Sequence, residues 1–319
     1  MMNRRQCLGL TLGASAAMSL SPQWLWAAQQ TLGERIIPST GEKIPVIGLG
    51  SSATFAQFAR SEDLSNLKEV MRTFFENGGR VFDTAPAYGG AEEAAGKIAQ
   101  ELGIHKKVFW ATKLNVATRN GSADPKAARA QVEQSFKRLG VEKIDLIQIH
   151  NTGDLATQLP ILKELKAQQR IRYIGITTTF PEQYALLESM MRNEPIDFVG
   201  LDYAIDNRDV EEKLLPLAIE RKIGVLAYLP FGRTSLFKRV ANVALPQWAS
   251  EFDAKTWAQF FIKYVISHPA ITAVTPSTSQ AKNMLDNIGG GMGRLPDQAM
   301  RKRMIELIDA QPYIPVSLR

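Results

Sequence analysis

At 319 residues the chain has room for two average domains, although an α/β barrel takes up this length as one. Lys and Arg number 38 against 32 Asp and Glu; this mild excess of +6, with no long basic block, argues against a nucleic-acid partner, and 45% hydrophobic residues exclude disorder. One Cys and three His rule out a disulfide framework and leave little room for a metal site, and no apolar run reaches the ~18 residues of a membrane span or stable anchor.

The chain opens Met1-Met2-Asn3-Arg4-Arg5-Gln6-Cys7-Leu8. Paired arginines precede a mild apolar stretch, Cys7 to Leu20, rich in Gly, Ala and Ser, which is the pattern of a secretory signal. The segment from Arg4 to Leu8 resembles the twin-arginine consensus, an address read by an export machinery rather than an anchor. Residues 1–28 are therefore read as a signal cleaved near Ala28, and 29–319 as a single exported, periplasmic domain acting as a monomer. A frayed or amphipathic N-terminal helix of a cytoplasmic protein is the plainer alternative. Cys7 is the only cysteine, so the mature chain would have none, which suits an oxidising compartment.

From Glu34 onward, short β-rich runs alternate with helical patterns. The runs are Val46–Leu49, Arg80–Asp83, Val108–Lys113, Ile144–Ile149, Tyr173–Thr177, Phe198–Asp202, Gly224–Tyr228 and Ala273–Thr275. Leu64, Leu67, Met71 and Phe74 recur at helix spacing, as do Ala128, Val132, Phe136 and Leu139. Asp124-Pro125 reads as an N-cap with proline at the first helical position, and Gly140 as the stop. This alternation argues for parallel strands with crossover helices. A doubly wound sheet calls for a G-x-G-x-x-G turn after its first strand, and Gly48-Leu49-Gly50-Ser51 lacks the third glycine. An α/β fold of the (β/α)8, or TIM-barrel, type is the better reading. Arg35–Pro45, turning at Thr40-Gly41, would be an N-terminal β-hairpin plugging the bottom, and Leu295–Pro312 an extra C-terminal helix.

Catalytic groups in such a barrel lie at the C-terminal ends of strands. Those ends carry Asp83 with Tyr88, then Lys113, then His150. A tyrosine hydroxyl near pKa 10 needs help to move a proton at neutral pH, and a nearby ammonium supplies it by favouring the phenolate. A carboxylate keeps that lysine charged and in place, and a histidine can donate to a carbonyl oxygen as charge develops there. The set suits proton delivery to a carbonyl whose carbon receives a hydride. Singly, each residue has an ordinary reading: a turn cap, a loop aromatic, a surface ion pair, a core histidine.

The motifs around these residues resemble those of the aldo-keto reductase family, over nearly all of Glu34–Gly290. Phe82 to Glu92 is similar to the family's Asp-to-Tyr segment, spacing included; Ala111-Thr112-Lys113 is similar to its lysine strand, and Ile144 to Asn151 to its histidine strand. The resemblance implies Tyr88 as proton donor, Asp83 and Lys113 as its tuners, and His150 as the group orienting the substrate carbonyl. It also implies NADPH, or NADH, bound across the barrel mouth; the export reading adds that the nucleotide would be loaded inside and carried out tightly held.

On the cofactor side, Thr177-Thr178 stands where the family has a Ser-Asn pair for the nicotinamide carboxamide, and Thr178 lacks an amide's paired donor and acceptor. Gly200 falls where the family often has a glutamine. Tyr228, Leu229 and Gly232 match the segment whose tyrosine stacks on nicotinamide and whose loop meets the pyrophosphate. Ser277, Thr278, Asn283 and Asn287 fall in the adenosine-end motif, with Lys282 adjacent and no clear cluster for a 2′-phosphate. The resulting expectation is a carbonyl reductase, or the reverse alcohol oxidation, on a small substrate. A barrel that has lost nucleotide binding and serves as a periplasmic binding or accessory protein is the alternative. Substrate choice would lie in Ser51–Arg60, Leu114–Ser122 and Phe231–Trp248.

Overall fold

The computed structural model describes residues 31–116 and 121–312; the proposed signal, 1–28, lies outside the described residues. An antiparallel hairpin leads: β1 (Glu34–Ile36) pairs with β2 (Lys43–Pro45), and Gly41 in the turn takes a φ of +78°. The barrel strands follow as β3 (Leu49–Gly50), β4 (Val81–Asp83), β5 (Phe109–Leu114), β6 (Ile144–Ile149), β7 (Ile171–Thr178), β8 (Phe198–Asp202), β9 (Gly224–Tyr228) and β10 (Ile271–Val274). They form one eight-stranded sheet in chain order, each parallel to the next. Bridges between Ile47 and Val274 and between Gly50 and Ser277 join the first strand to the last. The fold is the (β/α)8 barrel that the alternation predicts.

Helices cross over outside the strands, and their local signals are those of the sequence. Asp124 caps Pro125–Leu139 by accepting from the N–H groups of Lys126 and Ala127, at 3.0 and 3.3 Å. Gly140 ends that helix at φ +68°, a conformation that favours glycine. Ser65–Glu76 buries Leu67, Val70, Met71 and Phe74, one face at 3.6 periodicity, with Leu64 standing just before it. The extra helix is Gln298–Asp309, tied back by Arg301 to the Tyr203 hydroxyl and to Glu211, both at 2.8 Å. Arg80–Asp83, Val108–Lys113, Tyr173–Thr177 and the C-terminal helix shift by one to three residues at their ends, and the first and last barrel strands depart further from the sequence reading. The first barrel strand is the two-residue β3 rather than Val46–Leu49, because Ile47 is held only by its bridge to Val274; β10 begins at Ile271, before the expected Ala273.

The barrel interior is filled from below. Ile37 and Ile44 of the hairpin region pack with Val81, Phe109, Leu146, Tyr173 and Phe198, all buried. Tyr173 and Arg172 both donate to Glu42 Oε2, which latches the hairpin to β7. With the floor sealed, the barrel interior opens at its C-terminal mouth.

Candidate active site

Alternation along parallel strands aims every second side chain into the barrel. On β5, Phe109 and Ala111 fill the floor and Lys113, two residues on, rises into the mouth. Asp83 ends β4, Gln148 lies on β6 beside Lys113 in register, and His150 follows β6 directly. A turn then brings Tyr88 back: its N–H donates to Ala85 O at 3.0 Å, and Gly89 follows at φ +60°. Asn151 and Thr152 take φ values of +55° and +53°, a bend that sets His150 at the rim.

Lys113 Nζ donates to Asp83 Oδ1 at 2.7 Å and to the Thr84 carbonyl at 2.9 Å. It lies 4.9 Å from the Tyr88 ring centre and 5.4 Å from that of Tyr228. The rings of Tyr88 and His150 meet edge to face, 5.9 Å apart. The four residues picked from the sequence for catalysis thus line one cavity of about 250 Å³, together with Thr177, Tyr228, Leu229, Arg233 and Thr275.

Burial works against the charge on Lys113, but Asp83 and Tyr88 outweigh it, so its pKa rises and the ammonium persists. Burial also raises the Asp83 carboxyl, while Lys113, Tyr228 and Gln148 pull it down. The sequence reading has Lys113 lowering the Tyr88 pKa. It does pull that way, yet burial is the larger effect and the hydroxyl ends above its ordinary value. Tyr88 is therefore protonated at neutral pH, as a donor must be. Burial, then Lys113, hold His150 down to about 3, so it is a neutral donor across the working range.

The cofactor-side residues divide. Thr177 faces the cavity, whereas Thr178, one position on, points outward: its hydroxyl donates to Gln183 Oε1 at 2.6 Å and accepts from Phe180 N–H at 3.1 Å. Thr178 is thus removed from the carboxamide position that the family pairing suggests, and Thr179 lines the cavity instead. Gly200 has no group to offer a ligand; it lies under the Tyr228 ring. Leu229, Gly232, Arg233 and Thr234 all take positive φ, between 51° and 75°, so the backbone after β9 curls over the mouth. Ser277 Oγ donates to Ser52 O at 2.6 Å and Thr278 turns its hydroxyl to Gln280 N–H at 3.1 Å. Asn283 is exposed and Asn287 is buried on the helix Ala281–Gly290.

Ser52 and Arg233 fall in loops that the sequence reading gives to substrate choice, and Gln148 and Asn151 in its histidine-strand motif, none of them singled out; Phe180 was passed over. Gln148 had a usable signal: it precedes His150 by two on a strand and so shares its inward face. Arg233 had none beyond following Gly232. Among the described residues no cluster of His, Cys, Asp and Glu could hold a metal ion, and no helix is long and apolar enough to cross a membrane.

A closed barrel whose mouth pairs a protonated tyrosine with a buried ammonium is a carbonyl-type oxidoreductase in its architecture. The chain matches the Aldo/keto reductase family over residues 46–304 and belongs to that family. It is a nicotinamide-dependent carbonyl oxidoreductase. Aldo-keto reductase YhdN of Bacillus subtilis (strain 168) is 33% identical over 201 residues, 60% of each chain. An aldo-keto reductase of Klebsiella pneumoniae, solved in complex with NADPH, superposes with a TM-score of 0.71 at 20% identity over 88% of this chain and 95% of that one. AKR11C1 of Bacillus halodurans, in its holo form, gives 0.69 at 21% identity over 87% and 96%. At these identities the two structures speak for the fold.

Proposed function

We propose that the protein reduces a small aldehyde or ketone with NADPH or NADH, Tyr88 giving the proton, and that it does so as a monomer in the periplasm after twin-arginine export. The observation that carries the chemistry is Lys113 Nζ, fixed between Asp83 Oδ1 and Thr84 O beside Tyr88.

The residues present fit a nicotinamide nucleotide. The partly exposed Tyr228 ring offers a flat apolar face, Thr177 a hydroxyl, and Thr275 a buried Oγ1 that has no partner. Arg233 and the left-handed backbone at Leu229 and Gly232–Thr234 offer a cation and a curled loop to the phosphates. A bound nicotinamide supplies a hydride to the carbonyl carbon. Tyr88 Oη passes its proton to the carbonyl oxygen, and neutral His150 donates a hydrogen bond to the same oxygen as charge builds. The phenolate left on Tyr88 is stabilised by Lys113, which Asp83 holds in place. The assembled set speaks against the accessory-protein alternative.

Purified protein should quench its tryptophan fluorescence on titration with NADPH or NADH and oxidise the reduced nucleotide when given short aldehydes or ketones. Binding of neither nucleotide would overturn the reading. The export half rests on Arg4-Arg5 and the apolar stretch behind them. Arg4→Lys with Arg5→Lys keeps the charge, so only a receptor demanding paired arginines should respond. The double variant should stay cytoplasmic on fractionation; its full export would point to the general secretory route, and wild type found unprocessed in the cytoplasm to a cytoplasmic enzyme.

A further inference from the structure

Tyr228 reaches from the end of β9 into the barrel, its ring lining the cavity. Its hydroxyl donates to Asp83 Oδ2 at 3.2 Å and accepts from Gln148 Nε2 at 3.0 Å. Gln148 Nε2 lies 3.4 Å from the same Asp83 oxygen. Asp83 is thus held at both ends, one oxygen on Lys113 and the other on Tyr228 and Gln148. Two inward-facing glycines leave room for this. A Cβ at Gly200 would fall 2.4 Å from Tyr228 Cε2 and 2.6 Å from its hydroxyl; one at Gly175 would fall 2.8 Å from Gln148 Cγ.

We propose that Tyr228 is a positioning residue for proton transfer: through Asp83, its hydroxyl holds Lys113 beside Tyr88, and Gly200 and Gly175 are side-chain-free to admit it. This rests on reading Tyr88 as the donor. A carboxylate bonded at one oxygen can turn about its Cβ–Cγ bond, and a second donor fixes its plane. The same bond favours the charged carboxylate, so the shared proton stays on Lys113 and the ammonium favours the Tyr88 phenolate. Burial, then Asp83, keep the Tyr228 hydroxyl protonated, so it remains a donor. The other groups facing Tyr88 are His150, which stays neutral, and the Arg233 guanidinium. The glycine that removes the family's strand-six amide from the nicotinamide is, in this barrel, what lets the phenol reach Asp83.

Tyr228→Phe keeps the ring and deletes only the hydroxyl. Two readouts decide. Nucleotide affinity should stay within about twofold of wild type while kcat falls about tenfold or more, because the ring face is retained and the proton donor is mistuned. Separately, NMR with 13Cζ-labelled tyrosine, Tyr88 being assigned by its loss in Tyr88→Phe, should show Tyr88 titrating at higher pH in Tyr228→Phe than in wild type. A purely structural tyrosine would leave that titration in place. An unchanged Tyr88 titration, or kcat within about twofold of wild type, overturns the proposal. Should wild type turn over no carbonyl at all, the function reading fails on its own and the titration still decides the positioning role.

Discussion

Lys113 Nζ and Asp83 Oδ1 are 2.7 Å apart with their side chains 1% and 5% exposed, so the charge pair at the centre of the site is also a buried charge pair of the core. Removing one member leaves the other uncompensated in low dielectric, which costs about 3–5 kcal/mol. Lys113→Met and Asp83→Asn should each lose activity and unfold at clearly lower denaturant than wild type. Urea unfolding curves that overlay wild type for Lys113→Met would show that the ammonium is not buried as described.

Tyr88 is half-buried at the rim, and deleting its hydroxyl, which hydrogen-bonds Lys113, leaves the buried Lys113–Asp83 pair in place, so the cost to folding should be small. Tyr88→Phe should lower kcat by orders of magnitude, leaving nucleotide affinity and the urea midpoint near wild type. Retention of most of the turnover would remove Tyr88 from the donor role.

His150 carries a pH signature of opposite kind to an ordinary histidine. Its folded pKa, about 3, lies below the unfolded value near 6.5, so the unfolded chain binds the extra proton first. Its neutral form therefore supports stability above pH ~6.5, and that support is lost progressively as the pH falls from there toward 3. Over the same range His150→Gln should lose less stability than wild type, measured as the difference in urea midpoint at matched pH values. The activity profile of wild type should show no limb near pH ~6.5. A limb there that disappears in His150→Gln would mean the imidazole is far less buried than the structure has it.

The barrel and the four catalytic candidates were legible because each depends on a short-range rule. Strand–helix alternation gives the topology, and a two-residue period decides that Lys113 and His150 face inward. What was not legible depends on contacts between strands. That same period turns Thr178 outward to Gln183, against the pairing suggested by motif alignment alone. Gly200 looks in sequence like a lost contact, and only its register beside β9 shows that it makes room for Tyr228. Arg233 reaches the cavity through a run of left-handed backbone that its sequence does not announce. The balance of burial against charge at Tyr88 is likewise a property of the packed site, not of residue types.

The hairpin offers a test of the sealed floor. Ile44 is 3% exposed and packs in the cluster with Val81, Phe109, Leu146 and Phe198. Ile44→Ala removes buried methylenes where neighbours have little freedom to collapse, for a loss of about 2–5 kcal/mol. Because the mouth lies at the far end of the strands, kcat measured well below the unfolding transition should be close to wild type. A large kcat loss without a stability loss would place the hairpin in the chemistry rather than under it.

Nucleotide choice turns on the far end of the mouth. Ser277 is already engaged with Ser52 O at 2.6 Å, and Asn283 is uncharged, which leaves Lys282 as the cation at the positions matched to the 2′-phosphate motif. Lys282 is exposed and lines an outer cavity with Phe58, Asn66, Glu69 and Gln280. Glu69 there is paired to Arg72 at 2.6 Å, so its charge is only partly available to repel a phosphate. An exposed ion pair contributes about 0.2–1 kcal/mol, so NADPH should bind no more than about fivefold tighter than NADH. Lys282→Ala should erase most of that difference, weakening NADPH binding and leaving NADH binding unchanged. Raising the salt concentration should shrink the preference in wild type and have little effect in the variant, since the pair is open to solvent. Parallel fluorescence titrations of both proteins with both nucleotides, at low and high salt, check it. A preference of a hundredfold that survives Lys282→Ala would mean that a different group, on another loop, holds the phosphate.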